Sequence, residues 1–79
     1  MTVEEFNKLD DQNKKVLIFE ASKIAERNED FKKFELFNID DFFVEIMSSR
    51  FLKFRRTMAV YTQQDLPLVY SHNVQSIFA

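Results

Sequence analysis

Residues 31–62 hold three runs rich in aromatic and β-branched residues, parted by two short polar breaks, Ile39-Asp40-Asp41 and Ser48-Ser49-Arg50. Runs of this kind, bounded by turn-forming residues, read as strands. Breaks this short leave room only for hairpins, because a parallel connection needs a dozen residues or more. The stretch therefore predicts a three-stranded antiparallel meander over residues 31–38, 42–47 and 51–62. The chain contains no glycine, so its turns fall to Asn, Asp and Ser, the residues that best tolerate turn geometry.

Taking each break as a three-residue turn fixes a register. Phe37 then faces Phe43, Leu36 faces Val44 and Phe34 faces Ile46. In the second hairpin Ile46 faces Leu52, Glu45 faces Lys53 and Val44 faces Phe54. One face carries Phe34, Leu36, Phe42, Val44, Ile46, Leu52 and Phe54, and helices are expected on it. The other carries Lys33, Glu35, Phe37, Phe43, Glu45, Met47, Phe51, Lys53 and Arg55. The Glu45–Lys53 pair supports this register, whereas Glu35 opposite Glu45 argues against it.

Upstream, Thr2-Val3-Glu4-Glu5 has capping-box spacing, and Val3, Phe6 and Leu9 make one apolar stripe. This predicts a first helix over residues 3–9. Asp10 to Asn13 can cap a second helix reaching about residue 27. Its stripe is Leu17, Ile18, Ala21, Ile24 and Ala25, with Phe19 nearly opposite. Downstream, Asp65 can cap a short turn with Pro67 inside it. Leu66, Leu68, Val69, Tyr70, Val74, Ile77 and Phe78 are too apolar for a solvated tail, so the tail is expected to dock. The fold class is thus α+β: two N-terminal helices on a three-stranded meander, with a short C-terminal helical or irregular element. Residues 1–79 form a single small domain.

Composition excludes several functions. Without cysteine there is neither a disulfide framework nor a thiolate metal site. Without glycine there is no phosphate-cradling loop and no dinucleotide fingerprint. Asp40-Asp41 and Asp10-Asp11 read as a turn and a cap, and neither has calcium-loop spacing. His72, the lone histidine, adjoins Ser71, but adjacency alone makes no catalytic triad. No catalytic residue, metal ligand or cofactor is assigned, and the chain is expected not to be an enzyme. With neither a signal-peptide pattern nor a membrane-length apolar run, a cytoplasmic location is expected.

The segment Phe34-Glu35-Leu36-Phe37-Asn38-Ile39-Asp40-Asp41-Phe42-Phe43-Val44-Glu45-Ile46 resembles a strand pair in a group of small, functionally uncharacterised bacterial proteins familiar from Bacteroidetes genomes. Glu5-Phe6-Asn7-Lys8-Leu9 is similar to their opening helix, x-x-Glu-Phe-x-x-Leu. The likeness covers residues 3–56. It implies a helix–helix–three-strand order and brings no activity.

The functional signal lies on the second sheet face. Phe37, Phe43, Met47 and Phe51 form an apolar patch, rimmed by Glu45, Lys53 and Arg55, and such patches mark interfaces. The tail could cover this face. A small domain more readily completes its core by association, so the expected function is a protein-interaction module self-associating through this face, as a homodimer, or binding another protein. The alternative is nucleic-acid binding through Lys53, Arg55 and Arg56 beside Phe43 and Phe51. The formal charge of −2 and the glutamates on the same face argue against it.

Overall fold

The computed structural model describes residues 1–49 and 56–70, with the side chains of Arg56 and Thr57 left aside. In chain order come α1 (Val3–Asn7), α2 (Asp11–Glu20), β1 (Ser22–Glu29), β2 (Lys32–Ile39), β3 (Phe42–Ser49), β4 (Arg56–Thr62) and a 3-10 turn (Leu68–Tyr70). The strands form one antiparallel sheet in the order β1-β2-β3-β4. The class is α+β, but the meander has four strands rather than three.

The extra strand comes from the expected second helix. Asp10 caps α2 as anticipated, accepting from the Asn13 amide at 2.8 Å. The helix ends at Glu20, and Ala21 is already extended at φ −77° and ψ 160°. From Ser22 the chain pairs with β2, and the pairing slips between Lys23 and Ala25. That bulge explains the misreading. A bulge lets adjacent residues share one face, and Ile24 and Ala25 both pack into the same cluster. Two adjacent apolar residues two turns beyond Leu17 and Ile18 imitate a helical stripe. Pairing with β2 overrides that local preference.

The first helix keeps both halves of its capping box. The Glu5 amide donates to Thr2 Oγ1 at 3.1 Å, and the Thr2 amide donates to Glu5 Oε1 at 3.0 Å. It ends at Asn7, two residues before the expected limit, and buries Phe6 completely.

The β2–β3 register differs by one residue from the expected one. Ile39 pairs with Phe42, so only Asp40 and Asp41 form the loop. Asp40 takes a left-handed φ of 51°, and Asp30 takes 52° in the equally short β1–β2 loop. Aspartate is among the few residues other than glycine that visit this region readily. The corrected pairs are Phe37 with Val44, Leu36 with Glu45, and Phe34 with Met47. Glu35 meets Ile46, so the expected carboxylate clash does not arise.

The β3–β4 pairing is corrected too. Ser48 pairs with Arg56, and both Ser48 and Ser49 belong to β3 rather than to a turn, while Arg50 lies outside the described residues. Glu45 lies opposite Ala59 rather than Lys53.

Phe37 and Ile39 thus join Phe42, Val44, Ile46 and Val60 on the helix-covered face, packed with Phe6, Leu17, Ile18 and Ala21. Phe34 and Leu36 move to the opposite face. No described helix is long and apolar enough to cross a membrane.

Candidate interaction surface

The face opposite the helices carries Arg27, Phe34, Leu36, Phe43, Glu45, Met47 and Tyr61 by register. The chain crosses it again after β4. Thr62 closes the first bend, its hydroxyl donating to Asp65 at 2.8 Å. The Tyr70 amide then donates to the Pro67 carbonyl at 2.9 Å, forming the 3-10 turn. This strap, residues 63–70, sets Leu66 and Tyr70 against Leu36, Phe43, Ile24 and Ala25. Leu36 and Phe43 are fully buried and Tyr70 is 1% exposed.

A charge lies beneath the strap. Glu45 is 8% exposed, the sole buried charged residue among those described. Its neighbours on β3 are all apolar and buried, because β3 is a central strand covered on both faces. The Tyr70 hydroxyl donates a short hydrogen bond to Glu45 Oε2. Arg27 Nε donates to the Tyr70 oxygen at 3.3 Å, and its Nη2 lies 3.7 Å from Glu45. The same guanidinium stands 3.9 Å from the centre of the Phe34 ring and 5.5 Å from that of Tyr70. It also pairs with Glu29 at 2.7 Å. Burial, reinforced by the bond to Glu45, pushes the Tyr70 phenol up to about 12. Burial and then the Glu45 charge also raise Tyr61.

The expected partner-contact residues are redistributed. Phe37 lies under the helices, and Phe43 and Glu45 lie under the strap. Met47 is partly buried on the strap-side face. Phe51, Lys53, Arg55 and His72 lie outside the described residues. Sequence reasoning missed Arg27 and Tyr70. The available signal was Glu45 itself, a lone acid within the apolar run at residues 42–47 that had to find a partner. A three-residue turn at Ser48-Ser49-Arg50 gives it Lys53, and the helical reading of residues up to about 27 takes Arg27 out of the sheet.

The sheet's two edges differ. Along β1, Lys23 bridges Glu26 at 3.0 Å and Glu35 at 3.3 Å, while Lys33 reaches Glu26 at 2.9 Å. Hydrogen bonds from Lys33 and then Lys23 hold the Glu26 carboxyl below its ordinary range. Charges and a bulge blunt an edge against pairing. The seven-residue β4 pairs with β3 without any register shift, and Arg56 is its lone charged residue. No described strand lies on its outer side. Met58 there is 40% exposed.

No protein-family model, curated protein or solved structure matched the chain. Among the described residues no group of three acidic or histidine side chains is placed to hold a metal ion.

Proposed function

We propose that this protein is a non-catalytic interaction domain that self-associates, pairing β4 of one copy with β4 of another. The observation carrying this reading is the unblunted β4 edge beside the bulged, charged β1 edge. An edge strand presents a row of backbone donors and acceptors to any chain that can add to it.

The strand is self-complementary. A two-fold axis at Ala59 sets Met58 opposite the partner's Val60, an apolar pair on the helix-side face. Thr57 opposes the partner's Tyr61, Arg56 opposes the partner's Thr62, and no like charges meet. The two sheets would join as one. Self-association is thereby retained from the sequence, but its route shifts from the sheet face to the sheet edge, because the chain's own strap buries Phe43. That burial also takes Phe43, one of the two rings offered to a nucleic-acid base, away from solvent, while Phe51 lies outside the described residues.

Sedimentation of the purified chain tests the reading. Wild type is expected to be dimeric at micromolar concentration. Met58→Lys replaces both apolar pairs with the partner's Val60 by a charge on the edge, and weakens the dimer by about tenfold or more, roughly 1.4 kcal/mol or above. A wild type that stays monomeric at high micromolar concentration sinks the proposal.

A further inference from the structure

We infer that charge makes the β4 edge selective for a second copy of the chain: in the β4-paired dimer, Arg56 of each copy registers beside the partner's Asp65, once at each end of the junction. This deepens the proposed function and rests on its edge pairing.

Three observations carry it. The first is where the charges fall along the strand. Arg56 opens β4 and is its lone charged residue, while Asp65 lies three positions beyond Thr62, which closes it. Antiparallel pairing of a strand with its own copy brings the start of one to the end of the other. A two-fold axis at Ala59 pairs all seven residues of β4 and sets Arg56 opposite the partner's Thr62. Moving the axis to Met58 or Val60 shortens the ladder and carries Arg56 to the partner's Val60 or to the partner's Gln64.

The second is how Asp65 is held. The Thr62 hydroxyl donates to Asp65 Oδ2 at 2.8 Å, and the Asp65 amide donates to Thr62 Oγ1 at 3.3 Å. The carboxylate is thus tied to the side chain of the residue that the partner's Arg56 opposes. Thr62 pairs with Phe42 and Arg56 with Ser48, an even number of positions apart, so both belong to the helix-side face. A two-fold axis perpendicular to the joined sheet keeps them on one side. Directly opposed residues have Cβ atoms about 5 Å apart. With the hydroxyl bond added, the Asp65 carboxylate stays within ion-pairing range of an arginine at that position of the partner.

The third is that Asp65 has charge to offer. It is exposed and forms no ion pair among the described residues. Along β1, by contrast, Lys23, Glu26, Lys33 and Glu35 already pair within the chain. An open edge accepts any extended segment, because main-chain hydrogen bonds alone do not choose a partner. Complementary charge does choose. A second copy brings an acid to each Arg56, and a foreign strand does so only by chance.

Sedimentation equilibrium of the full chain tests this with neutral variants: Arg56→Gln, Asp65→Asn and the two combined. Asparagine keeps an acceptor for the Thr62 hydroxyl, so the bend is retained. Each single variant is expected to weaken the dimer by about threefold to tenfold, because two equivalent pairs are lost per dimer. The combined variant should be no weaker than either single one, and added salt should weaken wild type but not the combined variant. Single variants without effect, or with effects that simply multiply, overturn the inference. Edge pairing then still stands if Met58→Lys weakens the dimer. A wild type that is monomeric at high micromolar concentration overturns both.

Discussion

At the scale of the residue, Glu45 and Tyr70 define each other's environment. A buried carboxylate without donors carries a large desolvation penalty, and Tyr70 supplies the donor from 25 positions away in the chain. Tyr70→Phe removes the hydroxyl but keeps the ring in place. It leaves Glu45 with its Arg27 contact at 3.7 Å and is expected to cost roughly 1–3 kcal/mol, read from urea midpoints. Combining it with Glu45→Leu should recover most of that loss, because Arg27 keeps Glu29 at 2.7 Å and both members of the pair become apolar. A double variant weaker than Tyr70→Phe alone would show that Glu45 has a structural role beyond meeting Tyr70. Other residue-scale features were legible in advance. The capping box at Thr2 and Glu5 and the aspartate turn at Asp40-Asp41 are local devices, set by neighbours within three or four positions. The pairing of Glu45 was not legible, since both true partners lie far from it in sequence.

At the scale of the element, β1 is the instructive failure. Residues 11 to about 27 read as one helix, yet the chain turns from helix to strand at Ala21. Nothing local forces the stop, since neither proline nor glycine lies between Lys14 and Glu29. The strand exists because β2 offers it a ladder, and the bulge near Ile24 reconciles that ladder with a helix-like apolar pattern. A peptide spanning residues 10–29, freed from β2, should therefore extend its helix past Ala21 in aqueous trifluoroethanol. Alpha-carbon chemical shifts would report helix through about Arg27. Shifts that turn extended at Ser22 in the isolated peptide would mean that the stop is written locally. The register error has a similar root. Ile39 was counted as part of the turn, when a two-residue aspartate loop sufficed, and that single residue moved Phe37 from one face to the other.

At the scale of the whole molecule, the central strands are covered on both faces, by helices on one side and by the strap on the other. Apolar surface on both sides of β3 was visible in the sequence; which cover goes where depended on the register. The strap is the cover most exposed to a change of conditions, because its anchor titrates. Tyr70 ionises at about 12 in the fold, against about 10 for an unperturbed phenol, because burial and the Glu45 carboxylate both oppose the phenolate. The folded state thus favours the protonated form. Its contribution is fully present below about pH 10 and is lost as the pH climbs from about 10 to about 12. Stability read from urea midpoints should accordingly not vary with the titration of Tyr70 around neutral pH and should fall across that alkaline window. Absorbance at 295 nm should show Tyr61 and Tyr70 both ionising above the ordinary range, and Tyr70→Phe should delete the later step. Release of the strap would then uncover Leu36 and Phe43, so binding of an apolar dye should rise in the same window as the later step. A wild type in which one tyrosine ionises at its ordinary pH, with that step missing in Tyr70→Phe, would place Tyr70 in water and remove the strap from the sheet.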